Sequence, residues 1–256
     1  MSDSDAIVFE NVSKAFGPKV IYSGLDLRIR RGEVLTILGG SGSGKSVMLK
    51  MMLGLIAADA GRVLVNGSDL SELDDLGLQK VRRKVGMLFQ GSALFDSMTV
   101  FDNVSYALVE RGNYEEEALR ARVREVLEMV GLPGTEDMMP NELSGGMKKR
   151  VALARAVAEV PDIVLYDEPT TGLDPMNVRR ISELILRLRD ELHVTSVVIT
   201  HDLASAFFVS DRMAMLADHR ILEIAETKRF RESSRPEVQE FLGAMDVVSF
   251  AGERAP

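Results

Sequence analysis

One run constrains this chain more than any other: Gly39-Gly40-Ser41-Gly42-Ser43-Gly44-Lys45-Ser46, set directly after the apolar stretch 34–38 and before a helical-looking stretch 47–54. A strand that feeds a glycine-rich turn and then a helix start can aim successive backbone N–H groups, and the positive end of a helix dipole, at one anion. Lys45 can reach the terminal phosphate oxygens of a nucleotide, and Ser46 can ligate magnesium. The strand and helix context disfavours a plain glycine turn. Unrelated hydrolases share this loop, so it implies an α/β core that binds phosphate without saying which machine carries it.

The remaining patterning fits such a core. Stretches 34–38, 163–166 and 196–200 are short continuous apolar runs, as expected for parallel strands covered by helices on both faces. Residues 6–30 read as β-rich, with Leu25, Leu27 and Ile29 alternating against Asp26, Arg28 and Arg30 as in a half-buried antiparallel strand. Helical spacing places Val178, Ile181, Ile185, Leu188 and Leu192 on one face of 177–192, and Leu119, Val123, Val126, Leu127 and Val130 on one face of 115–130. The organisation is a nucleotide-binding domain over 1–232, interrupted by a mainly helical subdomain over 91–160, and a tail over 233–256 that starts near Arg231-Glu232-Ser233-Ser234-Arg235-Pro236.

A second apolar strand ends in Asp167-Glu168, where the C-terminal edge of a parallel sheet meets the phosphate loop. Asp167 would hold magnesium while Glu168 polarises the water that attacks the γ-phosphate. An isolated Asp-Glu-Pro is more often a solvated acidic turn, and the upstream loop reverses that preference. His201 follows a third strand and is the one histidine of three in such a setting, a candidate for contacting the γ-phosphate and the attacking water.

Composition excludes several classes. A net charge of -8 disfavours a nucleic-acid or anionic-membrane surface, which both reward a basic face, so nucleic acid is not an expected partner. The absence of cysteine removes disulfides and thiol chemistry. Residues 1–5 carry acidic residues and no apolar stretch follows a basic region, and the longest apolar runs are strand-sized, so neither a secretory signal nor a membrane-spanning helix is expected. Any membrane link should come through a protein partner.

Leu143-Ser144-Gly145-Gly146-Met147-Lys148-Lys149-Arg150 precedes an alanine-rich helix, with Ser144 as its cap. Lying between the phosphate loop and the paired acids, it resembles the Leu-Ser-Gly-Gly signature of ABC-type ATPases, and the resemblance runs over about 7–224. It implies an α/β P-loop NTPase core with an antiparallel β subdomain and an inserted helical subdomain, hydrolysing ATP with Mg2+. It further implies that Phe16 stacks on adenine, that Gln90 touches magnesium and senses a transmembrane partner, and that the nucleotide lies on Gly39 to Val47. Ser144, Gly145 and Gly146 would serve the γ-phosphate bound by a second copy, and Asp174 would couple the two sites, so a homodimer is implied. Three departures stand out: Met147 where many relatives carry glutamine, Val47 where a threonine hydroxyl is frequent, and Phe16 for a more usual tyrosine.

Within that family, residues 86–104 and Leu143 to Met147 look like Mla-type phospholipid ATPases, as do Pro236, Val238, Phe241 and Leu242 in the tail. That resemblance implies an integral-membrane permease, an MCE substrate-binding protein and a small accessory protein as partners, at the cytoplasmic face of an inner membrane. It also places Phe241 and Leu242 on the second copy of the dimer. An importer ATPase for amino acids or other polar solutes is the alternative. A non-transport ABC protein acting on DNA or ribosomes fits less well, given one cassette and no sustained heptads.

Overall fold

The computed structural model describes residues 5–110, 112 and 115–250, with backbone alone for 244–250. Strands β1 (Asp5–Phe16) and β2 (Lys19–Arg30) pair antiparallel, burying Leu25, Leu27 and Ile29 while Asp26, Arg28 and Arg30 face solvent, the alternation expected of a half-buried strand. The apolar strand β3 (Val34–Leu38) runs into the glycine loop and helix α1 (Lys45–Met52). Strands β4 (Ala60–Val65) and β5 (Ser68–Asp69) then complete a four-stranded antiparallel sheet of order β2-β1-β4-β5. Helix α2 (Asp75–Arg82) and strand β6 (Val85–Leu88) lead into α3 (Val100–Glu110), α4 (Glu116–Met129) and α5 (Gly145–Val157). The chain returns to the core through β7 (Ile163–Asp167), α6 (Pro175–Leu192), β8 (Thr195–Ile199), α7 (Leu203–Val209), β9 (Arg212–Ala217) and β10 (Arg220–Glu226). Helices α8 (Thr227–Arg231) and α9 (Pro236–Phe250) follow.

The second sheet has six strands in the order β10-β9-β3-β8-β7-β6, all parallel except the edge pair β10 and β9. Its inner strands are apolar at nearly every position because both faces are covered. Ile163 and Leu165 of β7 join a core under the antiparallel sheet with Phe9, Leu27, Ile37 and Met48. Val164 and Tyr166 of the same strand turn to a core under the helices with Val104, Val126, Val151 and Ile185. A period of two therefore deals alternate residues to two cores. The helices supply what their spacing promised: α4 buries Leu119, Val123, Val126 and Leu127, and α6 buries Ile181, Ile185 and Leu188. Parallel strands finish at one edge, so the loops after Leu38, Leu88, Asp167 and Ile199 are brought together.

The tail corrects one expectation. Leu242, 8% exposed, and the fully buried Val238 pack within their own chain against Leu38, Ala206, Met213, Met215 and Phe230, with Phe241 half-buried beside them. Leu38 of β3 and Met213 and Met215 of β9 leave an apolar shelf on one face of the sheet, and α9 of the same chain covers it without the entropy cost of association. Leu242→Ala is expected to destabilise the single chain by about 2–3 kcal/mol, the lower part of the range for truncating a buried leucine. A denaturation midpoint that does not move would show that Leu242 is not part of this core.

Candidate functional site

Helix α1 starts at Lys45 because Gly44 takes φ 109°, a conformation that side-chain-bearing residues rarely adopt, and a Cβ there would lie 2.7 Å from Ile21 Cγ2. The buried Tyr22 donates its hydroxyl to the Gly44 carbonyl at 2.6 Å, so a strand of the antiparallel sheet fixes the corner between loop and helix. Burial raises the Tyr22 phenol well above its usual range, which keeps it a donor. At the other end of the loop a Cβ on Gly39 would come within 2.4 Å of the Leu216 carbonyl oxygen, so only glycine lets the loop pass β9 so closely. Lys45 Nζ donates to the Gly39 and Gly40 carbonyls at 2.7 and 2.9 Å. Burial lowers its pKa, and the charges of Glu168 and Asp167 oppose that shift. Ser43 Oγ is buried with no hydrogen-bond partner among the described residues.

Glu168 leaves β7 with φ 49°, an uncommon left-handed backbone for a residue with a side chain. Its N–H donates to the Ile199 carbonyl at 2.8 Å, so the neighbouring strand holds it there. Its Oε2 accepts from Thr171 Oγ1 at 3.0 Å and lies 2.8 Å from His201 Nδ1. The Glu168 side chain is 14% exposed against 54% for His201, so the acid is sheltered and the imidazole stands at the surface. Burial raises the pKa of Asp167 and the charge of Glu168 raises it further, while Lys45 and Lys149 pull it down.

A cleft of about 670 Å³ gathers these groups. Of the residues assigned to the nucleotide, Gly39, Gly40, Ser41, Gly42, Gly44, Lys45, Ser46, Val47 and Gln90 line it, with Asp167, Glu168 and His201. Phe16 and Ser43 do not. Phe16 ends β1 with its ring 47% exposed and Lys14 Nζ 5.3 Å from the ring centre. Lys19, Ile21 and Phe241 also line the cleft, and no local motif marks them. The Ser46 hydroxyl, the Gln90 side chain and the Asp167 carboxylate are among the hard oxygen donors there, and with phosphate and water oxygens they fit magnesium. Among the described residues no group of three or more His, Cys, Asp or Glu side chains is placed to hold a metal without such help.

The signature residues lie apart from this cleft. Ser144 Oγ caps α5 by accepting from the Met147 N–H at 3.3 Å. Asp174 caps α6, its carboxylate accepting from Asn177 N at 3.1 Å and Asn177 Nδ2 at 2.5 Å, and these bonds hold its pKa below the usual carboxylate range. A Cβ on Gly146 would meet Asn177 Oδ1 at 2.6 Å, so the two helix starts are packed against each other. Ser144, Gly145, Gly146 and Asp174 thus form one patch, none of them lining the cleft of their own chain.

Known proteins share this arrangement. The ABC transporter family model matches residues 22–171. The intermembrane phospholipid transport system ATP-binding protein MlaF of Haemophilus influenzae is 38% identical over 240 residues, covering 94% of this chain and 91% of that protein. The probable ribonucleotide transport ATP-binding protein mkl of Mycobacterium leprae is 39% identical over 237 residues, covering 93% of this chain and 68% of that protein. Among solved structures, the ATP-binding cassette MJ0796, dimeric in a post-hydrolysis state bound to ADP and Pi, superposes with a TM-score of 0.79 at 36% identity over 86% of this chain and 98% of that one. The cbiO1 protein of Clostridium perfringens, part of the ABC transporter complex cbiONQ, superposes with a TM-score of 0.84 at 30% identity over 90% and 92%. With the family model spanning more than half of its length and the phosphate loop facing the paired acids in one cleft, the chain belongs to the ABC transporter family as an ATP-binding, ATP-hydrolysing subunit.

Proposed function

We propose that two copies of this chain bind two Mg·ATP at a shared interface, and that closure and hydrolysis power phospholipid transport between inner and outer membranes through an integral-membrane permease. The observation that carries the chemistry is the single cleft in which the phosphate loop, Asp167, Glu168 and His201 meet. Support for the lipid substrate comes from the alignment with MlaF, which spans nearly the whole of both proteins, whereas only 68% of mkl is covered. The subunit then sits on the cytoplasmic face of the inner membrane, with an MCE substrate-binding protein and a small accessory protein as further partners. Among the described residues no helix is long and apolar enough to cross a membrane, so the permease supplies the link.

Glu168 orients the attacking water, its Oε2 fixed by Thr171 and His201. His201, at the surface end of that bond, contacts the γ-phosphate and the water. Lys45 releases the Gly39 and Gly40 carbonyls to place its charge on the β and γ oxygens, and the loop N–H groups follow the same phosphates. Ser46, Gln90 and Asp167 would hold magnesium, which would supply positive charge against that of the nucleotide phosphates. Phe16 reaches the adenine from the end of β1. Ser144, Gly145 and Gly146 of one copy close on the γ-phosphate of the other, and Asp174 couples the two sites.

Glu168→Gln is expected to lower kcat by about 10²–10⁴-fold while ATP still binds; unchanged turnover would remove Glu168 from the role of water activator. Asp167 carries a raised pKa in the folded protein, so its ionisation costs stability that is intact below the unfolded value of about 3.9 and lost as pH rises through the folded pKa. Asp167→Asn should therefore raise the melting temperature of the nucleotide-free protein at neutral pH and abolish the extra stabilisation by Mg·ATP. A lower melting temperature without nucleotide would contradict this. For the substrate, a tagged copy purified from native membrane in mild detergent should carry a permease, an MCE protein and phospholipid. A permease for nucleotides or another polar solute would move the cargo to that class, and ribosomes or DNA would overturn the transport reading.

A further inference from the structure

Helix α5 does more than present its first turn. Lys149 is 5% exposed, whereas Lys148 and Arg150 beside it are only half-buried. Its Nζ donates to the main-chain carbonyls of Gln90 and, at 3.3 Å, Glu168. Further along the same helix, Arg155 donates to the carbonyls of Ser92 at 3.0 Å and Ala93 at 2.8 Å, and its guanidinium lies 5.9 Å from the Phe95 ring. Ser92 and Ala93 have φ of 63° and 50°, two consecutive left-handed residues without a glycine, and Glu168 has φ 49°. Such backbone persists only where its surroundings impose it. Here two cations of one helix hold the carbonyls of all three strained residues and that of Gln90.

We propose that Lys149 and Arg155 are positioning residues, a clamp that ties the signature helix to the loop after β6 and to the backbone of Glu168. The inference rests on the hydrolytic role proposed for Glu168. An ammonium has three N–H donors and no acceptor, so one Lys149 can hold two carbonyls from the loops after β6 and β7 at once. Fixing the Glu168 carbonyl fixes the peptide from which its carboxylate is aimed. A displacement of the loop bearing Gln90 therefore reaches both the water-activating carboxylate of its own chain and the helix whose first turn serves the second copy. Neither side chain lines the nucleotide cleft and their hydrogen bonds go elsewhere than the phosphate loop, so nucleotide binding should be spared.

Steady-state ATP hydrolysis by the full chain, with its permease or as a dimer alone, tests the clamp. Lys149→Met keeps the length of the side chain and removes the donors. It is expected to lower kcat by about 10- to 100-fold while KM for ATP stays within about twofold of the parent, because misaiming a catalytic group acts on the chemical step. Lys149→Arg, which keeps the donors, should recover most of the loss, and a side chain that merely fills space would show no such rescue. Should Lys149→Met fail to fold, Arg155→Met reads the same clamp and should also reduce kcat at unchanged KM. A folded Lys149→Met, or in its place Arg155→Met, with parental kcat would overturn the inference while the parent still hydrolyses ATP. A parent chain without hydrolysis would overturn the reading of Glu168 and this inference together.

Discussion

The lateral register of the parallel sheet is the constraint on which the site depends. Asp167 lies opposite Ile199, and Ile199 in turn lies opposite Ile37, one residue from the end of β3. A slip of one residue would send Ile163 and Leu165 to the helical core and Val164 and Tyr166 to the other, exchanging volumes in two packed interiors at once. Both faces are apolar, so shape and not polarity discriminates between registers. Main-chain bonds at the strand ends reinforce the choice: Thr195 N donates to Asp162 O at 3.0 Å, Ser196 N to Glu33 O at 2.9 Å and Glu168 N to Ile199 O at 2.8 Å. The last of these is already part of the site, so the sheet and the placement of the catalytic-edge acids share one set of interactions.

Charge at that edge is balanced in an unusual way. Asp167 is half-buried beside the Glu168 carboxylate, and burial together with that neighbouring charge disfavours the ionised form of Asp167. Lys45 and Lys149 offset this through space, yet each gives its hydrogen bonds to main-chain carbonyls and not to a carboxylate. Direct ion pairs would neutralise the acids and lock them. Cations anchored on carbonyls act on the Asp167 carboxylate by field alone and do not occupy its oxygens, while Glu168 Oε2 is held by Thr171 and His201. A hydrogen bond to a charged donor contributes about 1.5–3 kcal/mol, which makes these anchors strong enough to hold strained backbone.

Much of this was legible in the sequence, and the misses have physical causes. The glycine loop, the paired acids and the capped signature helix are local patterns whose chemistry is tied to spacing, so Gly39 to Ser46, Asp167, Glu168 and His201 could be named before any fold was known. That all of these but Ser43 line one cleft follows from parallel strands ending at one edge. Lys149 was not legible because Lys148-Lys149-Arg150 reads as a solvated basic run, and only the rotation of α5 decides which of the three turns inward. Tyr22 was equally silent, since an aromatic in a strand usually means packing, and here its hydroxyl also holds Gly44. Leu242 was misplaced because an apolar tail residue must be covered by something, and composition does not tell whether the cover is its own chain or another.

The same packing keeps the signature patch on a different surface from the phosphate-loop cleft. Ser144 and Gly145 are exposed at the start of a 13-residue helix, where small residues and a cap leave unpaired N–H groups open to a large anion. That helix cannot turn its start toward the cleft of its own chain. Gly146 is pressed against Asn177 of α6, Val151 and Val157 are fully buried under the helical core, and Lys149 and Arg155 hold the chain beside β6. On the proposed reading the γ-phosphate can then meet a signature only from a second copy, and the solved MJ0796 cassette, which this fold matches over 98% of its length, is itself dimeric. On that reading, rigid coupling within each chain calls for completion in trans, because a motion that closes one site carries the proposed clamp and acid of the other.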